Sequence, residues 1–156
     1  QGIFGGGSST RGIMAGGFSP SISNVIDFIT IASTGNSIDF GDMVQERRGG
    51  SKGQSSNSTR MVFCGGQQPT YRDFISYVTI ATLGNDIDFG DASTGVAVPA
   101  ACASPTRCVF AGGDTPTIIN TIEYIEFATT GNAVDFGDTV QPVSGASGCS
   151  NAHGGL

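Results

Sequence analysis

The side chains best able to do chemistry in this chain are acidic, and seven of the 13 fall within one repeated phrase. The phrase reads Gly-Asn-x-x-Asp-Phe-Gly-Asp and occurs at 35–42, 84–91 and 131–138. Loops that present carboxylate and amide oxygens around a glycine are typical of calcium sites. The phrase therefore supplies nine candidate calcium ligands, namely Asn36, Asp39, Asp42, Asn85, Asp88, Asp91, Asn132, Asp135 and Asp138.

A structural role is the stronger interpretation of the same residues. Asp and Asn side chains accept hydrogen bonds from nearby backbone N–H groups and so stabilise turns. The spacing within the phrase matches neither the EF-hand loop nor another known calcium loop. We therefore expect these residues to cap turns, with no bound metal or cofactor, and we keep calcium as the alternative.

The sequence offers no recognisable catalytic arrangement. The single histidine, His153, lies near the C-terminus, and nothing places it beside a serine and an aspartate. Asp-Phe-Gly also occurs in protein kinases, but here it recurs without a phosphate-binding glycine loop or a catalytic-loop motif. A glycan hydrolase needs paired carboxylates in a cleft, whereas these carboxylates lie at predicted turns. We therefore predict that the protein is not an enzyme.

The four cysteines, Cys64, Cys102, Cys108 and Cys149, have no Cys-x-x-Cys spacing, which argues against a zinc site. Cys102 and Cys149 lie one repeat length apart and so occupy equivalent positions in successive units. Such positions can be too far apart for a disulfide, which needs Cα atoms within about 7 Å. We expect small buried thiols, and a disulfide remains the alternative.

Composition and charge exclude several classes of partner. The net charge of −6 argues against a protein that binds nucleic acid by electrostatic attraction. No stretch approaches the ~20 apolar residues of a membrane span, so we expect no membrane insertion. The local basic cluster of Arg47, Arg48 and Lys52 is interpreted as a solvated linker. Because the chain begins with Gln1, we expect it to be processed or to be part of something longer.

The repeated phrase belongs to a longer unit that recurs three times. Each unit opens with an arginine (Arg11, Arg60 or Arg107), and these arginines lie 49 and 47 residues apart. A short apolar strand ending in Gly-Gly, a polar loop, a long strand, a Gly-Asn turn and a returning strand follow. The predicted boundaries are an orphan strand and connector at 1–10, repeats at 11–59, 60–106 and 107–148, and a C-terminal stub at 149–156.

The long strands predict how the units pack. Apolar residues occupy both of their faces, whereas a sheet with water on one side would alternate cleanly. We therefore predict an all-β fold of three antiparallel β-blades stacked face to face. The returning strand is expected to supply a core phenylalanine and then to be broken by the glycine of the phrase. Those phenylalanines are Phe40, Phe89 and Phe136.

An arginine, an apolar strand, Gly-Gly and an aromatic-bearing strand together resemble a kelch repeat, the blade of a β-propeller. More closely, the phrases TRCVFAGG, TIEYIEFATTGNAVDFGD and CSNAHGGL resemble virion structural proteins of marine bacteriophages, tail- or fibre-associated, over most of the chain. The resemblance implies a location in the virion or on the surface of the extracellular particle. It also implies other virion proteins and copies of the chain itself as partners.

Three units leave the predicted ring open, since propellers typically have about four to eight blades. A second copy of the chain, or blades upstream of Gln1, would complete it. The alternative is a closed pseudo-threefold monomer, a β-prism or a β-trefoil.

The leading functional hypothesis is a non-enzymatic structural protein of a phage particle that acts in assembly. The alternative is a lectin-like host-attachment adhesin that binds host-surface glycan through loops carried on the sheets. The candidate binding residues are Tyr71, Arg72 and Asp73. They lie in the second of three equivalent loops, at 19–24, 67–73 and 114–120.

Overall fold

The computed structural model describes residues 2–149, and this range contains strands, turns and loops but no helix. The prediction of an all-β fold is confirmed. None of the helices that a membrane crossing would require is found in this range. The strands are β1 Phe4–Gly7, β2 Arg11–Ala15, β3 Val25–Thr30, β4 Ile38–Asp42, β5 Lys52–Gly53, β6 Arg60–Cys64, β7 Phe74–Thr79, β8 Ile87–Asp91, β9 Ala100–Ala103, β10 Arg107–Ala111, β11 Thr121–Glu126 and β12 Val134–Asp138.

The strands form three antiparallel sheets, which we call blades 1, 2 and 3. Blade 1 has the order β1-β2-β3-β4, blade 2 contains β6-β7-β8, and blade 3 has the order β9-β10-β11-β12. The short strand β5 pairs in parallel with β9. A bridge between Ser56 and Met61 extends blade 2 at the same edge. Across residues 2–149, none of these sheets closes into a barrel.

Blades 1 and 3 each begin one strand before the arginine that opens the sequence repeat. The strand β1, predicted as an orphan, is the first strand of blade 1 and pairs along its whole length with β2. In blade 3 the equivalent place belongs to β9, which precedes Arg107 and pairs with β10. These first strands consist mostly of Gly and Ala, so they lack the apolar run that marks the other strands in the sequence.

The prediction that the glycine of the repeated phrase breaks the returning strand is wrong, because the strand continues past it. In β4 the pairing with β3 continues through Gly41 to Asp42, and the register shifts by one residue so that Phe40 is the extra residue of a β-bulge. The same shift occurs in the other two blades. A bulge re-aims one side chain while pairing resumes beyond it, and this accounts for a glycine in the middle of the strand.

Two hydrophobic cores lie between the blades. The first joins blades 1 and 2 and contains Phe28 and Phe40 on one side and Val78 and Ile80 on the other. The second joins blades 2 and 3 through the equivalent residues, Tyr77, Phe89, Ile125 and Phe127. The prediction that the long strands pack on both faces is therefore confirmed for blade 2, which has a neighbour on each side.

The outermost faces of the first and third blades lack such a neighbour. Phe40 and Phe89 are 3% and 2% exposed, whereas Phe136 is 57% exposed, so the prediction that it is a core residue is wrong. Ile80 is 2% exposed, whereas the equivalent Ile31 is 56% exposed. The repeat thus buries the same position only where another blade covers it.

All four cysteines are free, and two of them are buried while the other two are not. Cys64 and Cys108 are buried free thiols, as predicted, and burial raises the pKa of Cys64 to about 12 and that of Cys108 well above its ordinary value. Cys102 is half-buried and Cys149 is exposed, so the expectation of burial is wrong for these two.

Candidate functional site

The two halves of the repeated phrase meet between successive blades. The N–H of Gly84 donates to the carbonyl of Phe40 at 2.8 Å, and the N–H of Asp42 donates to Oδ1 of Asn85 at 3.0 Å. The N–H of Asp86 then donates to the carbonyl of Asp42 at 3.1 Å. The Gly-Asn turn of blade 2 is therefore held against the Phe-Gly-Asp strand of blade 1. We call this three-bond arrangement the clasp.

The clasp is repeated between blades 2 and 3. The N–H of Gly131 donates to the carbonyl of Phe89 at 2.7 Å, and the N–H of Asp91 donates to Oδ1 of Asn132 at 3.1 Å. The N–H of Ala133 donates to the carbonyl of Asp91 at 2.8 Å. The same hydrogen bond, from the N–H of Asp to Oδ1 of Asn, thus joins a strand to a turn 43 residues away at the first junction and 41 residues away at the second.

The clasp requires glycine because the two backbones approach closely. A Cβ on Gly41 would lie 2.4 Å from the carbonyl oxygen of Gly84, and one on Gly90 would lie 2.4 Å from that of Gly131. Both distances are shorter than a side chain can tolerate. The glycines of the Phe-Gly-Asp segments in blades 1 and 2 therefore make room for the next blade.

The arginines that open the first two repeats form a second contact between blades. Arg11 stacks on Phe28 at 4.8 Å and donates through Nη1 to the carbonyl of Ile80 at 2.7 Å. Arg60 stacks on Tyr77 at 4.6 Å and donates through Nη1 to the carbonyl of Phe127. A guanidinium can stack on a ring and donate in its own plane at the same time. The arginine thus links the aromatic column of one blade to the backbone of the next.

The linker between the first two blades buries a charge. Arg47 is fully buried, so the prediction of a solvated basic linker is wrong for this residue. It donates to the carbonyls of Gly65 and Phe74, both at 3.0 Å, and to Oγ of Ser76 at 2.6 Å. Its Nη2 also lies 3.6 Å from Oδ2 of Asp86. Two of these partners are backbone carbonyls, which have no residue signature, so the site could not be recognised from the sequence.

Desolvation dominates the electrostatics of Arg47. Burial lowers the pKa of its guanidinium to about 10, although the carboxylate of Asp86 acts in the opposite direction. The side chain therefore remains charged at neutral pH. Within residues 2–149, the Nε of Arg47 and Oδ2 of Asp86 are buried without a hydrogen-bond partner. The ion pair is consequently an incomplete compensation for the burial of two charges.

The junction between blades 2 and 3 uses different residues at the positions of Arg47 and Asp86. Oδ1 of Asp86 accepts a bond from the N–H of Val44 at 2.6 Å, whereas at the next junction Oε1 of Glu123 accepts from the N–H of Ser93 at 3.0 Å. The position of Arg47 is taken by Val96, which is 4% exposed. A carboxylate therefore anchors the same backbone position at both junctions, but only the first contains a buried arginine.

The nine calcium candidates do not form one kind of site. Asn85 and Asn132 accept backbone hydrogen bonds in the clasps, which is the turn-stabilising role expected of them, although across blades rather than within a turn. The side chains of Asp39, Asp88 and Asp135 are exposed on the outer strands. Within residues 2–149, no three or more His, Cys, Asp or Glu side chains are grouped to hold a metal ion.

The candidate binding loop of Tyr71, Arg72 and Asp73 is tied into the fold. The hydroxyl of Tyr71 lies 3.3 Å from Oδ2 of Asp114, in the equivalent loop of blade 3. Partial desolvation, followed by the nearby charge and hydrogen bond of Asp114, raises the pKa of this phenol. Nε of Arg72 donates to the carbonyl of Gln68 at 2.9 Å, and Asp73 is exposed. The structure thus gives Tyr71 and Arg72 local structural partners.

Sequence reasoning found the phrase but not its partner. One signal could have indicated it, since Asn is the same in all three copies while the residue after it is Ser, Asp or Ala. No protein-family model matches the chain, and no curated protein matches it.

Proposed function

We propose that the chain is a non-enzymatic structural protein of a phage particle, a tail, fibre or surface component that acts in assembly. The observation that carries the proposal is the use of the repeated phrase in the clasps. In two of its three copies the Asn side chain and the backbone groups hold one blade to the next. The backbone of the phrase and two of its Asn side chains therefore support a scaffold role, and the phage setting rests on the resemblance of the repeats to virion proteins.

The proposed architecture is a kelch-like propeller that further blades complete. Separate antiparallel blades packed face to face, with cores only between them, support this proposal. Rigid, repeated scaffolds of this kind present loops on one side and extend by adding units.

The proposal can be tested on intact particles and on the isolated chain. The chain should be found in purified phage particles at a fixed ratio to the other virion proteins, by quantitative mass spectrometry. It should remain in the particle after washing with high salt. The absence of the chain from particles would overturn the proposal.

A glycan array with the isolated chain tests the adhesin hypothesis. A purely structural protein should bind no glycan above the background of an unrelated β-protein. Tight and selective binding that Tyr71→Ala abolishes would instead favour the lectin-like function and the loop at 67–73.

A further inference from the structure

The forward face of blade 3 carries the same contact groups as the forward faces of blades 1 and 2, but they are unoccupied within residues 2–149. We define the forward face by the stacked arginine, the aromatic residue of the long strand and the bulge phenylalanine, which in blade 3 are Arg107, Tyr124 and Phe136. Arg107 stacks on Tyr124 at 4.6 Å, the same distance as in blade 2. Tyr124 and Phe136 form the same edge-to-face pair, at 6.0 Å.

Two details show that this face is open. A Cβ on Gly137 would have no neighbour within 4 Å among the described residues, whereas Gly41 and Gly90 are pressed against the next blade. Arg107 pairs through Nε with Glu126 of its own blade. This leaves Nη1, the atom with which Arg11 and Arg60 reach the following blade, without a partner in the described part of the chain.

The rear face of blade 1 is open in the complementary way. Ile29 and Ile31 are 37% and 56% exposed, whereas the equivalent residues of the other two blades are buried in the cores. Asn36 has the same place in the phrase as Asn85 and Asn132 but accepts no bond from a preceding blade within residues 2–149. The first blade thus presents a turn and an apolar strand of the kind that cover the forward faces of blades 1 and 2 and that no described residue supplies to blade 3.

We propose that the forward face of blade 3 binds the rear face of blade 1 of a second copy of this chain. The contact would be head to tail and would reproduce the two internal junctions: Phe136 against Ile31, Nη1 of Arg107 on the carbonyl of Ile31, and Oδ1 of Asn36 accepting from the N–H of Asp138. Such a contact closes into a ring or continues as a filament according to its rotation. Two copies joined at both ends contain six blades, within the range of about four to eight for propellers.

This inference deepens the proposed function, on which it rests for its biological setting, by naming the surface that copies of the chain use. Its first test is sedimentation velocity of the purified chain over a concentration series. We expect a dimer or larger species at about 0.1 mM, a concentration at which a weak specific contact is populated. A chain that remains monomeric at this concentration would overturn the inference.

Three variants that each introduce a charge distinguish a head-to-tail contact from other ways in which two copies could associate. Phe136→Asp disables the forward face and Ile31→Asp the rear face, and both residues are already exposed. Ile87→Asp is the matched control, because Ile87 and its equivalents Ile38 and Val134 are exposed in every blade. Circular dichroism should confirm that all three variants fold.

Each face variant alone should be monomeric, and the control should associate like the parent chain. An equimolar mixture of the two face variants should recover a one-to-one complex, since one intact forward face and one intact rear face remain. If Ile31→Asp associates normally, the contact is not head to tail and the inference is wrong. A monomeric chain found in phage particles would overturn the inference alone, whereas head-to-tail association of a chain absent from particles would overturn only the proposed function.

Discussion

At the residue scale, the most unusual side chain is the buried guanidinium of Arg47. A buried charge costs several kcal/mol of desolvation, which partners repay only with good geometry. Here three hydrogen bonds are well formed, but the ion pair to Asp86 is 3.6 Å long. The junction between blades 2 and 3 has no buried arginine: Val96 occupies the equivalent position, and Glu123 accepts the backbone hydrogen bond that Asp86 accepts at the first junction.

We predict that Asp86→Ala destabilises the chain by about 3 kcal/mol, because it leaves Arg47 buried without its counter-charge. The triple variant Arg47→Val, Ser76→Glu, Asp86→Ala transfers the residue types of the second junction to the first. This triple variant should recover at least half of the unfolding free energy that Asp86→Ala loses. Urea unfolding of the parent chain and both variants measures this, and a triple variant no more stable than Asp86→Ala would contradict it.

The buried thiols make stability depend on alkaline pH. The folded state holds the pKa of Cys64 near 12, above its ordinary value of 9.0, and raises that of Cys108 as well. Above the ordinary value the unfolded chain loses these protons while the folded chain keeps them. The contribution of each thiol to stability is therefore complete below pH 9 and is lost as pH rises toward the folded pKa.

We predict that replacing Cys64 by Ala makes the fall of stability between about pH 9 and pH 10 shallower by up to about 1.4 kcal/mol per pH unit. The measurement is urea unfolding at several pH values up to 10, because the lowered pKa of Arg47 opposes the trend above that point. Cys149→Ala, at an exposed position, is the control and should leave the slope unchanged. Equal slopes for both variants would refute the prediction.

At the scale of elements, the sequence identified the strands of each repeat by their apolar runs, but it left β1 as an orphan strand and did not assign β9 to a blade, because both consist mostly of small residues. β3, β7 and β11 are marked by Ile, Val, Phe and Tyr, whereas β1 and β9 are Phe-Gly-Gly-Gly and Ala-Ala-Cys-Ala. A small residue suits a close approach between strands, since a Cβ on Gly6 of β1 would lie 3.1 Å from the side chain of Met61, but the same composition is typical of loops. The clasp was missed for another reason, since its two halves lie more than 40 residues apart.

The repeated glycine in Phe-Gly-Asp offers a controlled test of the clasp. We predict that Gly90→Ala destabilises the chain by about 1–3 kcal/mol more than Gly137→Ala, since only the first Cβ would press against a neighbouring carbonyl. The two glycines have similar φ angles, 147° and 135°, so the backbone strain of alanine is matched. The comparison is made by urea unfolding in dilute solution, and equal losses would show that the close approach is unimportant.

At the scale of the whole molecule, stability should follow the number of neighbours that each blade has. Stacked units are stabilised by themselves and by the interfaces to the units beside them. Blade 2 has two such interfaces, each with a core and a clasp, while blades 1 and 3 have one each among the described residues. Local opening therefore requires the loss of more contacts in blade 2 than in either outer blade.

Hydrogen exchange measured by mass spectrometry would reveal this order. In dilute solution we expect the slowest exchange in β6 and β7, and faster exchange in β12 than in β4 and β8, because a clasp covers β4 and β8 but none covers β12 among the described residues. Raising the protein concentration should then protect β12 and the turn at 31–37 together, and no other segment, if copies join head to tail. Uniform protection across the three blades would contradict the neighbour argument, because it would mean that the chain opens as one unit rather than blade by blade.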